Sequence, residues 1–357
     1  MKKLFNGIYY GKTVLVTGHT GFKGSWLSLW LQKLGANVIG YALDPPTQPN
    51  HFSLLNLEIE SIIADIRDKA KIENVIQKYQ PEIVFHLAAQ PLVRDSYIYP
   101  HETYETNIMG TVNLFEAARK SDRLRAILNI TSDKCYENKE WVWGYRENDP
   151  MGGYDPYSSS KGCSELITSA YRRSFFANAE YGKSHQVLVA SCRAGNVIGG
   201  GDWAKDRLIP DIVKATAAGE TVIIRNPHAT RPWQHVLDPL YGYLLLGQKL
   251  LEGKPEYAEA WNFGPHDNHI LTVESLLKLF KQHWNDIKYQ IENKKKQFHE
   301  AALLKLDVSK ATSKLKLNSV WNSEKTIEKT VQWYKDFYQY AEINSDNDLN
   351  NFIKYIM

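Results

Sequence analysis

Tyr157 and Lys161 stand four residues apart in DPYSSSK, directly after Pro156. Proline suits the first turn of a helix, so this spacing predicts both side chains on one helical face. An ammonium beside a phenol favours the phenolate, which would let the tyrosine act as a base near neutral pH. Upstream, Thr131-Ser132-Asp133 closes an apolar run at 124–130 and predicts polar groups at a strand end. Nearer the start, Gly18, Gly21 and Gly24 lie between an apolar run and a helical pattern. Glycines there allow a tight turn, and the helix N-terminus offers N–H groups and a positive dipole end to a pyrophosphate. This chemistry is hydride transfer with an NAD-type dinucleotide.

His19 and Lys23 fall inside the loop and are expected to add positive charge near the pyrophosphate. Asp44, twenty residues after Gly24, is the candidate for the adenine ribose hydroxyls. No arginine stands beside it, which favours NAD over NADP. Asp65 in ADIRD either faces the adenine amino group or caps a helix. Phe22, Ile66, Ala88, Ala89 and Gln90 complete the set expected to border the cofactor.

The elements that must position these groups follow from periodicity. Residues 13–17 (TVLVT), 36–43, 82–88, 124–130 and 186–192 read as buried parallel strands. Helical patterns at 22–34, 70–79, 104–120 and 157–176 lie between them. Repeated βαβ units imply an α/β fold with a doubly wound parallel (Rossmann) sheet. After Arg193 the pattern changes, with helices expected near 208–218, 236–252, 272–285 and 324–340. The division is therefore 1–193, with 232–262 returning to it, as the dinucleotide-binding domain. Residues 194–231 and 263–357 form a smaller mixed α/β lobe for substrate. The Asn- and Asp-rich residues from about 343 are expected to be loosely ordered.

The 357 residues are 43% apolar and 23% charged, ordinary for a soluble globular protein. A net charge of +3 gives no reason to invoke nucleic acid or a membrane surface. Three cysteines (Cys135, Cys163, Cys192) offer neither a metal-ligand spacing nor a disulfide framework, so no metal is expected and free thiols in a reducing cytoplasm are. Neither a secretory signal nor a spanning run is visible. Aromatics at 141–145 (WVWGY) and Trp233 hint at apolar surfaces around a ligand.

Glycine loop, Ser132 segment and Tyr157/Lys161 pair together resemble the extended short-chain dehydrogenase/reductase superfamily. The runs TGHTGFKGSWL, NITSDKCYEN, GGYDPYSSSKG, RAGNVIGGGDWAKDRLIPD and RPWQHV narrow the likeness to the CDP-D-glucose 4,6-dehydratases, densely over residues 12–265. That resemblance implies conversion of CDP-glucose to CDP-4-dehydro-6-deoxyglucose, an early step towards dideoxysugars of lipopolysaccharide O-antigens. By it, Tyr157 takes the C4 hydroxyl proton, Ser132 steadies the oxyanion, Asp133 protonates the departing C6 hydroxyl, and Lys161 holds the nicotinamide ribose. The related dTDP-glucose dehydratases carry Asp-Glu where this chain has Asp133-Lys134, so Lys134 takes the place of the C5 base. An alternating strand would point these two apart unless the chain turns there.

A second departure is Ala42, where many extended members end the second strand in aspartate. The resemblance gives Arg94, Asn196, Arg225, Arg231 and His235 to the nucleotide sugar, with Asn196 and Arg231 on the diphosphate. Asn107 is expected to be a structural hydrogen-bonding residue. A homodimer through helices near 104–120 and 157–176, or a homotetramer, follows by analogy. An epimerase would have no need of Asp133. A non-catalytic dinucleotide sensor would have no need of Ser132, Tyr157 and Lys161 together.

Overall fold

The computed structural model describes residues 1–224, 226–265, 271–292 and 303–357. The expected strands form β1 (Thr13–Thr17), β2 (Asn37–Ala42), β4 (Ile83–His86), β5 (Ala126–Ile130) and β6 (Leu188–Ala194), with β3 at Glu60–Ile63 and a last strand at Ala260–Phe263. They form one sheet in the order Ala260–Phe263, β6, β5, β4, β1, β2, β3, every neighbouring pair parallel. The order reverses between β1 and β4, which opens a crevice beyond their carboxyl ends. Helix α1 (Phe22–Leu34) ends at Gly35 in the left-handed conformation (φ 84°), as the sequence predicts.

Helix Pro156–Ser174 has Pro156 in its first turn and the Asp155 carboxylate capping the Ser158 N–H at 2.9 Å. Its buried stripe is polar: Tyr157, Ser160, Lys161, Ser164, Glu165 and Thr168. Partners opposite satisfy it. Asn107 donates to Ser160 Oγ at 2.8 Å, and Asn129 donates to Ser164 Oγ at 3.0 Å and Thr168 Oγ1 at 2.7 Å. Such hydroxyl groups are stable in the interior because they find hydrogen-bond partners. The single helix expected at 104–120 is instead Pro100–Tyr104, a π turn at Glu105–Met109 and Gly110–Ala118, preceded by Val93–Ile98. The π turn carries the buried Asn107, and such insertions commonly mark functional regions.

Short strand pairs build the second part: Val197–Ile198 with Gln234–His235, Thr230–Arg231 with Leu271–Thr272, and Thr221–Ile224 with Lys288–Ile291. Helix Leu237–Leu251 packs back on β5 and β6. The three cysteines are free, two of them buried. Among the described residues no helix is long and apolar enough to cross a membrane, and no cluster of three metal-ligating side chains occurs.

One expectation fails at the end of the chain. Residues 345–353 form a helix, with Leu349, Phe352 and Ile353 buried. The polar composition hid three apolar residues at helical spacing, which are what the fold buries. Phe352 meets Trp30 of α1 edge-on at 5.8 Å and Trp321 at 5.1 Å. Phe352→Ala is expected to cost about 3–5 kcal/mol, read from urea unfolding.

Candidate active site

The glycine loop follows β1. Gly18 has φ 76°, and a Cβ there would lie 2.8 Å from the Ala88 amide nitrogen. A Cβ on Gly24 would lie 2.1 Å from the Gly18 carbonyl oxygen, closer than any side chain can come. No side chain caps α1, whose N-cap is Gly21. The N–H groups of its first turn are thus left for an anion, which fits a dinucleotide pyrophosphate. Phe22 borders this loop, near Gly199. Ile66 packs on Gly110, and the Ala88 N–H donates to Thr17 Oγ1 at 3.1 Å, with Ala89 beside it.

Several candidates point elsewhere than expected. His19 is fully buried, packs on Gly40 and pairs with Ser61 Oγ at 2.7 Å. Burial pushes its imidazole down to about 4, so it is neutral and adds no charge at the loop. Lys23 turns inward beneath the loop, 6.0 Å from the Tyr243 ring and within electrostatic reach of Arg207, Asp133 and Lys161. Burial pushes it down to about 8. Asp44 is exposed, two residues past the end of β2. The Asp65 carboxylate is held by Arg67 through Nε at 2.9 Å and NH2 at 2.6 Å, and Asp68, not Asp65, caps the following helix. Gln90 spends its amide on Leu92 and Thr103, with Asn107 bound to its backbone at both ends. Internal bonding of this kind leaves Gln90 as loop support, and Asn107 is structural as expected.

The chemistry-bearing residues do converge. Ser132 caps a 3-10 turn, Asp133–Cys135, accepting from the Lys134 N–H at 3.2 Å. The chain therefore turns here, and Asp133 and Lys134 are not thrown to opposite faces as in a strand. Ser132 Oγ donates to Asp133 Oδ1 at 2.9 Å and lies close enough to the Tyr157 phenol to influence its protonation. Asp133 is raised above the usual carboxylate range by burial, against the lowering pull of Lys134, Ser132, Arg231 and Lys23.

Tyr157 departs from the sequence reading in one respect. Burial pushes its phenol up to about 12, while the Ser132 hydroxyl and the Arg207 guanidinium pull it down. Arg207, which sequence reasoning missed, is a cation within electrostatic reach of the phenol. Arg207 is anchored on Asp202 Oδ2 at 2.9 Å, and the Asp202 backbone is clamped by Tyr334 Oη at 2.9 and 2.6 Å. Only its place just before the helix LIPDIVKATA hinted at it.

Of the residues assigned to the nucleotide sugar, Arg231 reaches the electrostatic neighbourhood of Asp133, and Asn196 lies one residue past Gly195, where a Cβ would come within 3.2 Å of the Asp133 carboxylate. Arg94 pairs with Asp206 near the surface. His235 is fully buried, against Trp26 at 6.1 Å and Trp321 at 4.7 Å, and so is a core residue rather than a substrate contact. Arg225 lies outside the described residues. Of the aromatics, Trp233 is buried, Trp141 stacks on Tyr145 at 5.2 Å, and Trp143 is exposed.

Comparison with known proteins agrees with this arrangement. Residues 15–332 match the GDP-mannose 4,6 dehydratase family. A CDP-glucose 4,6-dehydratase of Salmonella typhimurium is 55% identical over 329 residues, covering 92% of this chain and 91% of that one. A probable dTDP-glucose 4,6-dehydratase of Sinorhizobium fredii is 26% identical, covering 90% and 92%. Among solved structures, UDP-glucose 4-epimerase of Thermotoga maritima superposes with TM-score 0.77 at 24% identity, over 92% of this chain and 100% of that one. The dTDP-glucose 4,6-dehydratase of Bacillus anthracis in complex with NAD superposes with TM-score 0.72 at 21% identity, over 91% and 97%. Both superpositions share the fold. The glycine loop, the Ser132 turn and the Tyr157 helix are thus set in a chain that belongs to the CDP-glucose 4,6-dehydratase family.

Proposed function

We propose that this chain converts CDP-D-glucose to CDP-4-dehydro-6-deoxy-D-glucose with NAD. The observation that carries the reading is the clustering of the buried Tyr157 phenol with the Ser132–Asp133 hydrogen-bonded pair beside Lys134, in a chain 55% identical to a CDP-glucose 4,6-dehydratase. An unactivated C5–H is too weakly acidic to remove, so C4 must first become a ketone. NAD, when bound, would supply the hydride acceptor for oxidation at C4 and the hydride donor for reduction at C6.

The residues divide the proton work. Tyr157 takes the C4 hydroxyl proton as phenolate, the form that Ser132 and Arg207 favour against the effect of burial, and Ser132 steadies the oxygen as charge develops. Lys161 holds the nicotinamide ribose, and the first turn of α1 holds the pyrophosphate. Lys134 removes the C5 proton that the ketone has acidified. Asp133, whose carboxyl burial raises above the usual carboxylate range, gives its proton to the departing C6 hydroxyl. Arg231, Asn196 and Arg94 hold the diphosphate, joined by Arg207. Residues 194–231 and 263–357 act as the nucleotide-sugar lobe, and 1–193 with 232–262 as the cofactor domain. Asp44 serves the adenine ribose.

The setting we propose is cytoplasmic, in the synthesis of O-antigen sugars. Exposed Ile98, Tyr104, Met109 and Leu166 on neighbouring helices support a homodimer, alone or within a tetramer.

Incubation with CDP-glucose and, separately, dTDP-glucose tests the reading by mass spectrometry. Loss of one water from the CDP sugar alone is expected. No loss from either would end the proposal.

A further inference from the structure

Behind the reacting groups lies a buried polar layer to which the mechanism above gives no task. Glu165 stands one helical turn beyond Lys161, its side chain 3% exposed. Its carboxylate accepts from Thr131 Oγ1 at 2.5 Å, Ser191 Oγ at 2.7 Å and Arg193 NH2 at 2.8 Å. Arg193 in turn donates through NH1 to Tyr136 Oη at 2.6 Å and the Glu147 carbonyl at 3.0 Å. One carboxylate therefore ties the catalytic helix to the end of β5 and to β6. A buried ion pair is weak support for stability, because desolvating two charges offsets most of their attraction. Its position suggests a different use.

Four groups face Lys161 from the elements packed around it. Glu165 comes from its own helix, Cys135 from the turn after β5, His86 from β4 and Lys23 from α1. Burial lowers Lys161 to about 8, and Cys135 and Glu165 oppose that. Burial also pushes the Cys135 thiol far up and His86 down to about 3, so both are uncharged near neutrality. Lys23 carries the same sign as Lys161. Of these four, Glu165 alone supplies negative charge.

We propose that Glu165 is a positioning residue for the hydride step: its carboxylate is the negative charge one helical turn from Lys161, and through Thr131 it anchors the turn that presents Ser132 and Asp133. This rests on the assignment of Tyr157 and Lys161 to hydride transfer, but the charge coupling can be measured without turnover.

The test is an NMR titration of the full chain carrying lysine labelled with ¹³C at Cε. The Lys161 resonance is assigned by its loss in Lys161→Met. Glu165→Gln is expected to lower the Lys161 midpoint by about one pH unit or more, a tenfold change in its protonation ratio. Glu165→Asp, which keeps the charge, is expected to restore most of it. The double variant Glu165→Gln/Arg193→Gln removes the partner cation Arg193 together with the carboxylate and is expected to show a fall in the same direction, smaller in size. With CDP-glucose, the alkaline limb of kcat in Glu165→Gln is expected to move down with the midpoint, at nearly constant KM.

An unmoved midpoint in Glu165→Gln, or in the double variant should the single one not fold, overturns the proposal. Failure of both charge-free variants to fold would also overturn it, by making the carboxylate purely structural. A lowered midpoint without CDP-glucose turnover would uphold the coupling and remove only the assigned reaction.

Discussion

Tyr157→Phe is expected to lower kcat by about 10²–10⁴-fold with little change in KM, since it deletes the proton acceptor of the first step and leaves the ring in place. The phenol is buried, so no other hydroxyl can drift into its position at small cost. Wild-type enzyme mixed rapidly with CDP-glucose should show a transient near-ultraviolet absorbance of reduced nicotinamide. The variant should not. Activity within about twofold of wild type would remove Tyr157 from the hydride step.

Asp133→Asn is expected to separate oxidation from elimination. Asparagine keeps the shape but cannot release a proton, so water loss from C6 should fall by about 10²–10⁴-fold. Exchange of the C5 hydrogen in heavy water should persist, because it needs the ketone and Lys134 but not the acid. Lys134→Ala should lose exchange and water loss together, because elimination follows C5 deprotonation. The sign of the pH dependence follows from Asp133 itself. Burial raises this carboxyl, so its protonated, proton-donating form survives to higher pH than an exposed aspartate's and is lost as pH rises through the raised value. Elimination in the wild type should decline on that alkaline side, and Asp133→Asn should flatten that limb. Undiminished exchange in Lys134→Ala would exclude Lys134 as the C5 base.

What could be read from the residues was whatever depends on the local chain. The glycine loop needs Gly24 because a Cβ would strike the Gly18 carbonyl, and α1 stops at Gly35 because the chain turns left-handed there. The Tyr157/Lys161 face follows from Pro156 and a four-residue interval. Side-chain direction did not follow, because it is decided by packing between distant segments. Lys23 and Phe22 are adjacent, yet Lys23 turns inward under the loop toward Asp133 and Arg207. Asp65 lost its carboxylate to Arg67, two residues on, and His235 went to a core built by Trp26 and Trp321. Arg207 is placed by Asp202, which Tyr334 holds from over a hundred residues away. Such a contact has no signature in the run WAKDRLIPD.

The helix Ser345–Ile353 also bears on the order in which the protein can be made. It covers Trp30, and Ser345 bonds both His51 Nε2 at 2.8 Å and Trp333 Nε1 at 3.0 Å. The outer side of α1 is thus synthesised early and sheltered late. At typical ribosomal speeds the interval is on the order of tens of seconds. During it the nascent first βαβ unit must carry a bare tryptophan face, a natural place for a chaperone to hold the chain.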